Sequence, residues 1–407
     1  MAKIVVVGGS LGGLFVGNLL IKEGHDVIIL EKVVGSLDGR GAGIVTHQNL
    51  IDALEASGIP IDDNLGVHVT DRVTLDVHGQ TISKIQIEQI LTSWSRLYHL
   101  LKENFPENRY LQGKSVSNVS QNADLVTILC EDGSSYTADL VIASDGLRSA
   151  VRSLVAPLIV PEYAGYIAWR GVCDEYMLSK KTRDSLFNYF GFGLMDGEQI
   201  LGYPVAGNNN DIRVGQRRYN FVWYRSAPEH TTLKDLLTDA DGEYYPTGIP
   251  PVKVSWKHIS DMRQRARAVL APQWAEVVEK TALVFFQPIY DVVSNQTAFG
   301  RVALMGDAAF VARPHVGMGV TKAADDASSI VRHIKTLGAN ANALKAYEKE
   351  RIELGKKVID RTLYLGKYMQ DFNHHQSADA IINTANRVMS ETAVDISELL
   401  DKTPSIS

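Results

Sequence analysis

Three short segments carry residues whose types and spacing suit a phosphorylated ligand. In Val7-Gly8-Gly9-Ser10-Leu11-Gly12-Gly13, Gly8 allows a tight turn, the position held by Ser10 is where backbone approaches a pyrophosphate, and Gly13 permits close helix packing once Leu11 has opened a helix. Glu31 follows about 20 residues on, where an acid accepts from a ribose hydroxyl. The second segment is Asp139-Leu-Val-Ile-Ala-Ser-Asp145-Gly146-Leu147-Arg148-Ser149, with Arg152 one helical step later. Asp145 there offers a carboxylate beside the pyrophosphate region, although a strand-terminal Asp-Gly by itself is the chemistry of a turn. The third runs from Arg301 through Gly306-Asp307-Ala308-Ala309-Phe310 to Arg313-Pro314-His315-Val316-Gly317-Met318-Gly319. A carboxylate at a strand end, followed by Pro and a Gly-x-Gly helix start, suits a sugar-like hydroxyl and then a polar ring edge.

The elements that must position these segments are short apolar strands. Ile4 to Val7, Val27 to Leu30, Leu140 to Ala143 and Val302 to Met305 are continuous rather than alternating apolar runs, which predicts strands covered on both faces of a parallel sheet. A helix follows the first glycine turn and ends near Gly24. Between Tyr163 and Gln287 the texture changes to aromatic or alternating segments, Tyr166 to Arg170, Tyr189 to Phe192 and Tyr219 to Tyr224, which read as antiparallel strands of an inserted domain. From about Lys322 the chain is helical: Ala323 to Leu337, Leu344 to Met369 with a charged face including Glu348 and Arg351, and Ala378 to Leu400. The fold class is therefore α/β, a Rossmann-like domain with an inserted, mainly antiparallel sheet and C-terminal helices. The expected division is 1–75, 95–162 and 285–370 for the nucleotide domain, 76–94 and 163–284 for the substrate domain, and 371–407 for the terminal helix and tail. A second glycine-turn βαβ unit is missing from the pattern, so a second nucleotide would have to share the first domain.

Composition excludes several classes. The chain has 407 residues, 45% hydrophobic and 22% charged, with a formal net charge of −6, the balance of a folded globular protein without the Lys and Arg excess of a nucleic-acid binder. Two cysteines, Cys130 and Cys173, are too few for a disulfide framework or a Cys-rich zinc site. The run Ile4 to Ile21 lacks charge but is broken by glycines, and the start shows no signal-peptide pattern. The expectation is a cytoplasmic protein with no metal, nucleic-acid or membrane partner, monomeric or homodimeric. His374-His375 lacks the partners of a metal site.

Gly8 to Gly13 with Glu31, Asp145-Gly146 and Gly306-Asp307, in this order and at these separations, resemble the single-component FAD-dependent aromatic hydroxylases. Tyr163 to Gly171, Gly202-Tyr-Pro204 and Arg313-Pro-His315 look most like the dihydroxypyridine hydroxylase branch. The resemblance covers roughly residues 1 to 370 and departs from the family at Ser10 and at Phe310, where many members have His. It implies FAD held by Gly8, Ser10, Leu11, Gly13, Glu31, Lys32, Arg40, Asp145, Asp307, Pro314, Gly317 and Gly319. It implies NADPH or NADH as transient co-substrate, and O2 activated as a flavin hydroperoxide that hydroxylates a small electron-rich aromatic or N-heteroaromatic ring. His47, in a stretch that passes the reactive edge of the flavin in this family, is the candidate base, the alternative being a structural histidine. Tyr203, Tyr224 and His315 are candidate substrate contacts; for the two tyrosines a core role is the alternative. Two other functions fit the same motifs: an FAD oxidase or dehydrogenase that inserts no oxygen, and a non-enzymatic FAD redox sensor. The long aromatic insertion favours an enzyme over a sensor.

Overall fold

The computed structural model describes residues 1–37, 43–372 and 376–394; Arg40 and the pair His374-His375 lie outside them. The first layer is a six-stranded sheet in the order Ala298–Phe299, Val302–Leu304, Leu140–Ala143, Lys3–Val7, Asp26–Glu31, Tyr110–Gln112. Neighbours run parallel except at the edge, where Ala298 opposes Ala303 in antiparallel sense. The unbroken apolar runs are explained by cover on both faces. Ile4, Val6 and Ile29 share a core with Leu14, Phe15 and Ile330 of the helices Leu11–Lys22 and Gly319–Leu337. Val5, Val7, Leu30 and Val141 face the other way, onto Val126, Ile128 and Cys130. Those residues belong to a three-stranded antiparallel sheet, Val116–Gln121, Val126–Cys130 and Ser135–Ala138, which returns the chain to Leu140. Gly24, at φ +83°, ends the first helix, and the next amide, His25, bonds back to Leu20 at 3.1 Å, as in a left-handed C-terminal cap.

The second layer is a nine-stranded sheet, in which Glu162–Asp174 lies between Val284–Val293 and Arg218–Ser226. Glu198–Val205, Tyr189–Met195, Val67–Leu75, Thr81–Ser93 and Gly43–Val45 continue it to one edge, and Phe310–Val311 forms the other. It is antiparallel apart from the pair Tyr189–Met195 and Val67–Leu75. One face carries Trp169, Tyr219, Phe221 and Trp223 against Met262 and Trp274 of the helices Trp256–Val269 and Pro272–Lys280. The other carries Tyr166, Phe190, Tyr203, Val222 and Tyr224. Sheet membership does not follow the boundaries expected from sequence: Gly43–Val45 and Val67–Leu75 fell within 1–75, and all but the first residue of Val284–Val293 within 285–370, yet all three pair here. The signal was present in Val67 to Thr70, where burial alternates residue by residue, as in a strand wet on one side.

The C-terminal helices span Ala341–Asp371 and Ala378–Glu391. The second stops nine residues short of the expected Leu400, because Thr392 turns extended and Ala393 takes a left-handed φ of +50°. The charged face of the long helix is partly internal. Glu348 accepts from the amides of Thr297 and Ala298 at 2.8 Å, and Arg351 is buried against Asp326 at 2.6 Å. Among the described residues no helix is long and apolar enough to cross a membrane.

Candidate active site

The first glycine turn is built so that almost nothing but glycine fits. Gly8 has φ +100°, and a Cβ on Gly13 would stand 1.9 Å from the Gly8 carbonyl oxygen. Leu11 and Gly13 thereby lock the turn from inside, Leu11 as part of the core. Ser10 is the N-cap residue, but its hydroxyl makes no capping bond, which leaves the first-turn amides and the positive end of the helix for an anion. Glu31 is buried, and its two oxygens accept from the Gly9 and Val33 amides at 2.8 Å each. It therefore shapes the turn itself, with its remaining lone pairs available to a ligand.

A cavity of about 410 Å³ opens above this turn, lined by Gly8, Ser10, Glu31 and Lys32 on one side and Asp145 on another. The Asp145 carboxylate accepts from Ser149 Oγ at 2.5 Å and from the Val151 amide at 3.1 Å, so it holds the start of its own helix. Burial pushes its pKa up. Arg148, part of the second segment, lines the cavity too, while sequence reasoning missed Trp94 and Lys114 in the same lining; nothing in their local patterns points there.

A second cavity, about 260 Å³, lies between the third segment and the aromatic face of the large sheet. Asp307, Pro314, Gly317 and Gly319 border it. No described residue hydrogen-bonds the Asp307 carboxylate, and its pKa is raised by desolvation, with Asp326 adding to the rise and Lys322 and Arg152 opposing it. Solvent reaches Asp307 through the cavity, while protein surrounds it elsewhere. The turn beneath is fixed by a buried network: Lys322 Nζ donates to the Gly306 carbonyl at 2.9 Å, the Gly306 amide donates to Asp326 at 2.9 Å, and Arg351 closes on Asp326. Lys322 and Asp326 are four apart on one helix, a spacing that could have flagged them. Gly317 is left-handed at φ +62°, and a Cβ on Gly319 would meet nothing within 4 Å. The helix Gly319–Leu337, with Met318 as its N-cap and no side-chain cap, presents its first turn to the cavity.

The opposite wall holds Tyr203 and Tyr224, together with Arg170, Gln287 and Phe190. Burial raises both phenol pKa values, and Arg170 opposes that rise. Tyr203 crosses so close over Gly43 that a Cβ there would lie 2.3 Å from its ring. The structure does not bring the two histidines into the lining. His47 is buried at the start of the helix Gln48–Ala56, with Nδ1 3.0 Å from Thr321 Oγ1. His315 lies behind the wall, Nε2 3.1 Å from the Tyr166 hydroxyl and its ring 4.2 Å from that of Tyr224. Desolvation, with Arg313 beside it, holds its pKa down to about 3.

Two cavities, each bordered by an uncapped helix N-terminus, and an unpartnered carboxylate form a donor set that fits FAD. Residues 286–362 match the family model described as an FAD binding domain, and residues 163–291 match one described as FAD binding domain-like. The chain is 29% identical to 2,6-dihydroxypyridine 3-monooxygenase of Paenarthrobacter nicotinovorans, over 90% of this chain and 91% of that protein. The solved structure of 2,6-dihydroxypyridine-3-hydroxylase from Arthrobacter nicotinovorans superposes with a TM-score of 0.86 at 28% identity, covering 93% of this chain and 95% of that one. This chain belongs to the FAD-binding monooxygenase family. The chain is also 26% identical to 6-hydroxynicotinate 3-monooxygenase of Pseudomonas fluorescens, over 88% of this chain and 89% of that protein.

Proposed function

We propose that this monooxygenase uses NAD(P)H and O2 to hydroxylate a small, electron-rich aromatic or N-heteroaromatic ring, in the cytoplasm. The observation that carries the reading is a single cavity bordered on one side by Asp307 and Gly319 and on the other by Tyr203 and Tyr224. Gly8, Ser10, Glu31 and Lys32 would hold the nucleotide half of FAD, Asp307 its ribityl chain, and the backbone of Gly317 and Gly319 its ring edge. When bound, FAD supplies the chemistry of accepting electrons from NAD(P)H and activating O2. The chain's own residues do the rest. Tyr203 and Tyr224, whose hydroxyls have no hydrogen-bond partner among the described residues, would orient ring substituents, and the apolar wall of Phe190, Leu201 and Val222 would exclude water. His315 supports Tyr224 from behind rather than touching substrate. His47 is proposed as a positioning residue, tying the segment that carries Ile44 and Val45 to the helix start through Thr321.

The test is a screen of hydroxypyridines, hydroxybenzoates and purine-like rings for accelerated NAD(P)H oxidation under ¹⁸O2. The expected result is a product carrying one labelled oxygen atom. Peroxide formed in amounts equal to substrate oxidised, with an unlabelled product, would replace the reading with that of an oxidase.

A further inference from the structure

Arg170 lies on Glu162–Asp174, a strand paired on both sides, where Arg170 opposes Val222 on one neighbour and Phe285 on the other. Alternation along the strand puts Tyr166, Ala168 and Arg170 on the face that looks into the cavity, and in register Ala168 opposes both Tyr224 and Gln287. Arg170 therefore borders the cavity together with Tyr203, Tyr224, Gln287 and Val222. Its Nε is buried without a hydrogen-bond partner, and no carboxylate among the described residues pairs with it. The other arginine in the lining differs: Arg313 is bound to Asp291 through Nε at 2.9 Å and Nη2 at 2.6 Å. Glu198, on a strand of the same sheet, faces away and meets Arg225 and Arg265.

A cation half-enclosed in an aromatic wall with no counter-ion is costly unless a ligand brings one. A guanidinium offers a planar fork of donors that matches a carboxylate or the oxyanion of a ring hydroxyl. We propose that Arg170 selects ring substrates that carry a negative charge, binding that charge while Tyr203, Tyr224 and Gln287 hold the ring's other polar groups. The inference rests on the reading of this cavity as the substrate site. It makes Arg170 a specificity-determining residue for an anionic substrate class.

Calorimetric titration of the FAD-loaded protein with two matched pairs of probes tests it. One pair is nicotinate and nicotinamide; the other is 2,6-dihydroxypyridine, at a pH where it is ionised, and 2,6-dimethoxypyridine. In the wild type the charged member of at least one pair should bind about tenfold to hundredfold more tightly than its neutral counterpart. The pair that discriminates identifies the anion as carboxylate or ring oxyanion. Arg170→Gln should abolish the preference while leaving the neutral probe's affinity within about twofold, and Arg170→Lys should restore part of it. Equal binding within both pairs by the wild type, or a preference that survives in Arg170→Gln, would overturn the proposal. The readout is binding, so absence of oxygen insertion would defeat the hydroxylase reading and leave this result standing.

Discussion

The Arg72 guanidinium donates to the carbonyl oxygen of Ala393 at 2.9 Å, and Gln89 Nε2 reaches the same oxygen at 2.8 Å. Arg72 also donates to the carbonyls of Met389 and Thr392, so one fully buried cation gathers the unpaired end of the last described helix. Ala393 and Thr392 border the cavity that contains Arg170, and a Cβ on Gly317 would lie 2.6 Å from that of Ala393. The two residues that follow the C-terminal helix thereby become part of a wall of the site. Burial pushes the Arg72 pKa down to about 9, which leaves it charged at neutral pH.

Arg72→Met keeps most of the side chain's volume and removes every donor. The carbonyls left without partners should cost about 1–3 kcal/mol each that stays dry, and the helix Ala378–Glu391 should release first. Hydrogen exchange read by mass spectrometry should show lost protection over 378–391 and none over Leu140–Ala143. Unchanged protection of the terminal helix would mean that Arg72 is not its anchor.

What sequence could and could not reveal follows from how local each cause is. Gly8, Gly13 and Asp307 were legible because a tight turn, a close helix approach and a strand-terminal carboxylate are fixed by neighbouring residues. Glu31 was found by spacing, but its bond to the Gly9 amide depends on two strands lying side by side. Asp326 and Arg351 lie on different helices and meet only in the folded chain, so Arg351 read only as one member of a charged face. Arg170 looked like one residue of an aromatic strand; which face it takes depends on the neighbouring strands. His47 and His315 were singled out through the resemblance of their segments, and a resemblance of segments does not say which side of a wall a ring occupies.

Asp307→Ala should weaken FAD binding about tenfold to hundredfold, the equivalent of one charge-assisted hydrogen bond of roughly 1.5–3 kcal/mol. Its unpartnered carboxylate gives a second readout in the FAD-free protein. The folded-state pKa is raised by desolvation, so the folded chain holds this proton more tightly than the unfolded chain. The resulting stability is present below the ordinary carboxylate range and disappears as pH rises through the folded value. FAD-free Asp307→Asn should therefore melt above the wild type at neutral pH, with the gap closing in acid. A variant that binds FAD as well as the wild type would remove Asp307 from the cofactor site.

His315 has the opposite linkage. Its folded pKa is about 3 against an ordinary 6.5, so below pH 6.5 the unfolded chain takes up a proton that the folded chain refuses. Stability contributed by the neutral ring is complete above about 6.5 and is lost as pH falls toward about 3. Replacing it by Gln, which keeps a polar group near the Tyr166 hydroxyl, should flatten the acid limb of the melting-temperature profile between those values. Parallel profiles for the wild type and His315→Gln would show that the ring is protonated without penalty.

The bond between His47 Nδ1 and Thr321 Oγ1 distinguishes a positioning role from that of a base. If His47 only ties its helix start to the helix Gly319–Leu337, then His47→Gln and Thr321→Val disturb the same link, and their effects on turnover should be similar, below about tenfold, and strongly non-additive in the double variant. The pH profile of turnover should keep its shape in all three. If His47 takes a proton from substrate, His47→Gln alone should slow turnover by about 10²–10⁴-fold, with recovery at high pH where the substrate ionises unaided. Thr321→Val would then leave most of the rate in place. Steady-state turnover across pH for the two single variants and the double variant decides between these, and a large loss confined to His47→Gln would return the imidazole to the reaction.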